Sequence, residues 1–224
     1  AYNALDTSNR NISLRQLRLS TGKRINNAAD DVAGYITSRA LHARNGSLKA
    51  AVNAVGDATN VSYITMDSLE NINDLLQKIK EAASNAASGA TGTDEKVALA
   101  KAAFRMAQQV QTVVETTVFG GRQLLDGTFS ADFVIGSNAT NSLITLDVDM
   151  TFNNIDFNVE SNYFNVNSLL TGDFAGVSGL DLRQLNDINN IDVGIFAQDK
   201  IASTLTSLAF AINNVNKVAS YLGG

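Results

Sequence analysis

The sequence predicts a mainly α protein: an elongated rod of long, coiled-coil-like helices from both chain ends, with a small β-hairpin and irregular insert in the middle. Three observations predict it. The 224 residues include no proline, so no helix is kinked by one. Small and apolar residues recur at alternating intervals of four and three towards both ends of the chain. Between residues 133 and 150 the period falls to two.

The first long helix is read over 48–88. Ala51, Val55, Ala58, Ser62, Thr65, Leu69, Ile72, Leu76, Ile79, Ala83 and Ala86 form its heptad seam. The seam is small and polar at first, then large and apolar. The Leu and Ile residues supply most of the burial energy, roughly 1.5–3 kcal/mol per fully buried side chain. Gly89 and the following SGATGTD stretch end this helix, and Thr93 or Asp94 is expected to cap the next. That second helix runs to about Thr117 with two stripes. One is Leu99, Ala103, Met106, Val110 and Val113; the other is Val97, Ala100, Phe104, Ala107 and Val114. Two stripes imply burial on two sides. Phe133–Ile135 and Leu143–Met150 read as strands around a turn-rich loop, the second half-buried through Ile144, Leu146 and Val148. Residues 151–179, rich in Asn, Asp, Phe and Gly, read as short strands and loops. A last helix is placed at 199–222, with Ile201, Leu205, Leu208, Ile212, Val215, Ala219 and Leu222 as its seam.

Composition narrows the function. Hydrophobic residues make up 45% and charged residues 17%, the balance of a folded chain. Without Cys there is neither a disulfide nor thiol catalysis, and a single His, His42, leaves no histidine cluster for metal or acid–base work. No apolar run approaches a membrane span, and the start lacks the apolar core of a signal peptide, so membrane insertion is not expected. Net charge is −5 but segregated. Residues 1–49 hold eight basic residues against Asp6, Asp30 and Asp31, a net +5; residues 50–224 hold nine against nineteen, a net −10. Such a basic segment docks on something acidic, either the same chain, sister subunits or a polyanion. Arg10, Arg15, Arg18, Lys23 and Arg24 are the candidate polyanion contacts, because guanidinium groups suit the carboxylates of an acidic polysaccharide. No nucleic-acid partner is expected.

Other motifs carry less. LSTGKR at 19–24 resembles a phosphate loop, but Leu17 stands where the first Gly belongs and Arg24 where Ser or Thr belongs. Asp147 and Asp149 share a strand face and offer only two carboxylates of a hard-cation site. Asn11, Asn45, Asn60 and Asn138 open N-x-[ST] triplets that arise readily in an Asn-rich chain. No nucleophile–base set and no Gly-rich cofactor loop can be assembled, which favours a structural or binding role without a cofactor.

RLSTGKRINNAADDVAGYITSR, residues 18–39, resembles the N-terminal signature of bacterial flagellins. The matching positions are Arg18, Leu19, Ser20, Thr21, Gly22, Arg24, Ile25, Asn26, Asp30, Asp31, Ala33 and Gly34. Further stretches agree in order: 69–89 with the family's long helix, VFGGRQLLDG (118–127) with its turn, 133–146 with its hairpin, and 211–224 with its C-terminal helix. Gly120 stands where the family usually has Asn.

The resemblance implies a self-assembling filament subunit that catalyses nothing and is exported to the flagellum or cell surface. It implies other flagellin subunits, an export chaperone and a cap protein as partners. It assigns 1–17 to a remnant of the inner coiled coil, 18–127 and 196–224 to the helical rod, and 128–195 to the hairpin and a short variable region. Arg18, Leu19, Ser20, Gly22, Arg24, Ile25, Asn26, Asp30, Asp31 and Gly34 become candidate packing residues. Family members extend further at both ends, so the chain is expected to be a fragment that stays monomeric. The alternatives are a hook–filament junction protein, or a cell-surface flagellin that captures acidic polysaccharide. The positions matching those read by the vertebrate flagellin receptor are Lys78, Ala82 and Ala102, expected to lie off the seam and to be recognised poorly.

Overall fold

The computed structural model describes residues 2–26, 31–137, 142–167, 169, 171–186 and 194–224. Helix α1 spans Tyr2–Thr21, α2 Val32–Ala87, α3 Thr93–Thr116 and α4 Ile201–Gly223. Between α3 and α4 lie strands β1 (Val118–Phe119), β2 (Arg122–Gln123), β3 (Ser130–Ser137) and β4 (Leu143–Asp149), then two 3-10 turns at Ile155–Phe157 and Leu182–Leu185. The strands form two antiparallel or hairpin-linked pairs, β1 with β2 and β3 with β4. No helix among the described residues is long and apolar enough to cross a membrane. The chain divides into two compact units: Ala1–Asn53 with Ile135–Ile144, and Ala54–Val134 with Thr145–Gly224.

The second unit holds the core. Helix α2 is one run of 56 residues, beginning earlier than the seam predicts. From Ala58 onward the seam is buried as expected: Ala58, Thr65, Leu69, Ile72, Leu76, Ile79, Ala83 and Ala86 are all below the surface. Two points differ. Val61 is buried and Ser62 only half-buried, and Leu75 and Ala82 join the core, because α2 packs over an arc wider than a two-stranded seam. Ala82, expected off the seam, is nevertheless a core residue, because the buried arc is wider than the seam; Lys78 is exposed. The N-terminal end of the seam is also wrong, since Val55 is 43% exposed.

The two stripes of α3 merge into one face. Ala100, Ala103, Ala107, Val110 and Val114 are buried along its centre, while Val97, Leu99, Phe104, Met106 and Val113 flank it half-buried. Gly92 is the N-cap residue, with Thr93 and Asp94 already inside the first turn, where Asp94 and Glu95 suit the helix's positive end. In α4 the buried stripe is Ile201, Thr204, Leu208, Ala211, Val215 and Val218; Leu205, Ile212, Ala219 and Leu222 sit at its edge. The helix is turned relative to its most apolar stripe because polar contacts hold it. The Thr204 hydroxyl donates to the Ile195 carbonyl at 2.6 Å, and Asn214 Nδ2 donates to the Ala175 carbonyl at 2.6 Å. Lys217 Nζ reaches the Asn158 carbonyl at 2.9 Å.

Residues 151–180 contain no strand among those described, only the 3-10 turn and a single bridge between Phe174 and Val177. They nevertheless bury Phe157, Phe164 and Phe174. Phe157 meets Phe164 and Tyr221 edge-on, at centroid distances of 5.7 and 5.2 Å, the arrangement the ring quadrupoles favour. Side-chain amides replace a ladder here: Asn154 accepts from the Asp156 amide, and Asn165 from that of Asn167. Strand β4 is less buried than its alternation predicts. Ile144 and Leu146 are exposed and only Val148 reaches the core. Asp147 lies on its outer side with its carboxyl held above the usual range by partial desolvation and by repulsion from Asp132, Asp149 and Asp156.

Two glycine turns precede β3. Gly120 and Gly121 have φ of +58° and +80°, the two-residue hairpin turn that needs a left-handed pair. Glycine in place of the family's Asn keeps that conformation accessible. At Gly127, φ is +81° and a Cβ would fall inside the Phe152 ring.

Leu76→Asp and Leu208→Asp, both at fully buried positions, should each lose at least about 3 kcal/mol, enough to abolish cooperative thermal unfolding in a marginal domain. An unchanged melting curve would mean that these helices do not form the core. At the turns, Gly121→Ala should cost only the roughly 1 kcal/mol of a left-handed alanine. Gly127→Ala should cost about 2–4 kcal/mol, since Phe152 must also move. Equal shifts in urea midpoint for the two would contradict the packing of Phe152 on Gly127.

Candidate functional site

The signature segment forms the junction between α1 and α2 in the first unit. Helix α1 stops at Thr21 because Gly22 takes a left-handed φ of +64°. The Ser20 and Thr21 hydroxyls turn back to the Leu17 carbonyl at 3.1 and 2.8 Å. Thr21 Oγ1 also accepts from the Lys23 amide at 3.4 Å, and Asn26 Nδ2 donates to the Lys23 carbonyl at 3.3 Å.

Asp31 starts α2. Its Oδ1 accepts from the Gly34 amide at 3.0 Å, and its carbonyl from the Tyr35 amide at 2.9 Å, the pattern of an N-cap. The same carboxylate faces Arg24 Nη2 at 3.9 Å. A side chain at Gly34 would collide with it, and would lie 2.8 Å from Ile25 Cδ1. The acidic residue, the Ile and the Gly of the signature therefore form one packed cap, which explains their spacing. Asp30 lies outside the described residues. Leu19 projects into solvent at 83% exposure, while Arg18 is half-buried with its Nε atom covered and without a hydrogen-bond partner among the described residues.

The candidate polyanion contacts do not converge. Arg10 is paired with Asp6 at 3.1 Å, one turn away on α1. Arg10 and Arg15 lie about 140° apart around the helix axis. Only Arg15 and Arg18, three residues apart, share a face. Lys23 and Arg24 follow the helix end, with Arg24 turned towards Asp31. No group of three or more His, Cys, Asp or Glu among the described residues is arranged to hold a metal.

Exposure is the other feature of this unit. Helix α1 has no buried residue. Tyr2, Leu5, Ile12 and Leu17 are exposed on it, as are Ile36, Leu41, Leu48 and Val52 on the first part of α2. Apolar surface on this scale marks an interaction surface. Leu41 and Leu48 were missed as site residues, although with Val55 they repeat every seven residues and extend the seam towards the N-terminus.

A family model described as the bacterial flagellin N-terminal helical region matches residues 1–130, more than half of the chain. The chain belongs to the bacterial flagellin family. Flagellin C of Vibrio cholerae is 26% identical over 211 residues, covering 92% of this chain and 52% of that protein. The B-type flagellin of Pseudomonas aeruginosa is 32% identical over 147 residues, 65% of this chain and 30% of its own. Flagellin A of Vibrio cholerae is 34% identical over 128 residues, 57% and 34% respectively. The chain thus spans from about a third to about half of the length of these curated relatives. The flagellin match takes in the whole Asp31–Gly34 cap and both α1 and α2.

The cap can be tested by a double-mutant cycle. Gly34→Ala should reduce amide protection at the start of α2 although alanine is the better helix former. In an Asp31→Ala background the same substitution should be cheaper by about 1 kcal/mol, because half of the collision is gone. Hydrogen exchange of the first two turns of α2 reads both effects; strict additivity would show that Asp31 does not pack on Gly34.

Proposed function

We propose that the chain is a structural subunit of the bacterial flagellar filament, working outside the cell through contacts with further copies and catalysing no reaction. The observation that carries this reading is the family match over α1, α2 and α3, together with the apolar side chains that α1 and the first part of α2 expose instead of burying. Residues 18–127 and 196–224 serve as the helical packing body, 1–17 as part of an inner coiled coil, and 128–195 as the hairpin and short variable region. Arg18, Leu19, Ser20, Gly22, Arg24, Ile25, Asn26, Asp30, Asp31 and Gly34 act in subunit packing. Among them Gly22 ends α1 and Asp31, Ile25 and Gly34 pack as the cap that starts α2, while Leu19 is free to touch a neighbour. An export chaperone and a cap protein are the transient partners such a subunit requires.

Immuno-electron microscopy with an antibody raised against this chain is the test. Labelling along the length of flagellar filaments is the expected result. Labelling confined to the hook–filament junction, or spread over the cell body alone, would overturn the filament reading in favour of a junction protein or a surface receptor.

A further inference from the structure

The exposed part of α2 holds a chemically reactive pair. Asn45 and Gly46 form the one Asn–Gly step in the sequence. The amide nitrogen of the residue after an asparagine can attack that asparagine's own side-chain carbonyl carbon. A Cβ on the attacking residue hinders the approach, and glycine has none. Both residues are exposed. A Cβ at Gly46 would meet nothing within 4 Å, and its φ lies outside the left-handed region. Neither a packing contact nor a turn therefore calls for glycine at this position.

The helix alone restrains the pair. In an α-helix the Gly46 amide is committed to the carbonyl four residues earlier, that of His42, and the helical ψ of Asn45 keeps the nitrogen away from the side chain. Attack has to wait until the helix opens locally. Every residue from Ile36 to Ala50 is exposed, so opening these turns uncovers no core. Among the described residues no side chain from 40 to 53 joins a hydrogen bond, ion pair or ring contact. Asn45, Gly46 and Ser47 are each weaker helix formers than alanine. Segments of this kind open at the low end of a protein's range of local stabilities. The other asparagines are better protected. Asn53 is exposed on the same helix but is followed by Ala54. Asn165 and Asn214 are buried and hydrogen-bonded.

We propose that Asn45 is a self-modification site, converted to aspartate and isoaspartate through a cyclic imide when these turns of α2 open. The Gly46 nitrogen gives up its proton to solvent and bonds to Asn45 Cγ; the Cγ–Nδ2 bond breaks and ammonia leaves. Water then opens the ring at either carbonyl. Cleavage at Cγ restores the main chain with an aspartate. Cleavage at the main-chain carbonyl diverts the chain through Cγ and adds a backbone carbon. Water is consumed, ammonia is released and nothing is oxidised. Either product places a negative charge between Arg44 and Lys49, inside the basic segment. The isoaspartyl product also breaks the four-residue hydrogen-bond register of α2. The inference stands apart from the filament reading, since it needs only the exposed, unpacked helix.

The test is peptide mapping by mass spectrometry of the whole chain aged in mildly alkaline buffer, with hydrogen exchange followed in parallel. Asn45 should change well ahead of Asn53 and yield both isomers, told apart by electron-transfer fragmentation. Ala43→Gly should speed both the loss of Asn45 and the exchange of the Gly46 amide about fivefold, the factor that about 1 kcal/mol of helix propensity corresponds to. Gly46→Ala should keep the helical circular dichroism and protect Asn45. In the aged chain, amide protection just after residue 45 should fall in step with the isoaspartyl fraction. An Asn45 lost no faster than Asn53, or lost as fast in Gly46→Ala, would overturn the proposal. So would a rate of loss that Ala43→Gly leaves unmoved, because the reaction would then not be gated by opening of α2.

Discussion

Burial along one stripe of α2 is the constraint on which the rest of the second unit depends. Leu69, Ile72, Leu76 and Ile79 are fully buried, and at roughly 1.5–3 kcal/mol each they contribute, before entropy is subtracted, an amount comparable to the net stability of an ordinary domain. Their spacing sets the phase of the helix. Once that phase is set, α3 must present its alanine-rich face and α4 its Leu208 and Val215 face to the same core. Polar ties then fix the fit: Ser68 and Thr117 share a 2.8 Å hydroxyl bond, and Asn73 Nδ2 donates to Asn216 Oδ1 at 2.7 Å.

The segment after β4 solves a different problem. It has too many Asn, Asp and Gly residues to run as a strand, yet it must cover the aromatic end of the core. It does so by bending. Asn158, Asn162 and Ala175 take left-handed conformations, which the short amide side chains of Asn tolerate and which Ala adopts only under constraint. At Ala175 that constraint is the bond from Asn214 to its carbonyl, together with Gly176, where a Cβ would lie 2.6 Å from the Tyr163 carbonyl. The loop and α4 therefore hold each other in place.

The first unit is built on the opposite plan. Helix α1 buries nothing, and the opening turns of α2 are secured by the Asp31 cap rather than by a core. Isolated helices are marginal in water unless packing supports them. A helical segment with Leu5, Ile12, Leu41 and Leu48 in solvent is suited to gaining its packing from neighbouring molecules, as a filament subunit does.

Three of the four helices and the longer hairpin were legible in the sequence, because the absence of proline, the four-three spacing and the change to a period of two are local signals with direct conformational consequences; α1, the opening turns of α2 and the short β1–β2 hairpin were not read from the residues. The family was legible too, since the 18–39 signature is a continuous string of residues. What the sequence could not decide was which side of each helix is covered. The seam from Ala51 to Ala86 has one unbroken period, yet Val55 is exposed and Leu69 is not; the difference is made by α3, α4 and the loops, which cover only part of α2. Likewise Leu205 and Ile212 look better suited to the core than Thr204 and Asn214, but those two polar side chains reach carbonyls outside the helix, that of Ile195 just before it and that of Ala175 in the distant loop. Periodicity records that a helix has an apolar face. Only the tertiary structure determines where partners end and which hydrogen bonds outweigh a few methyl groups, because those depend on residues brought together by the fold and not by the sequence.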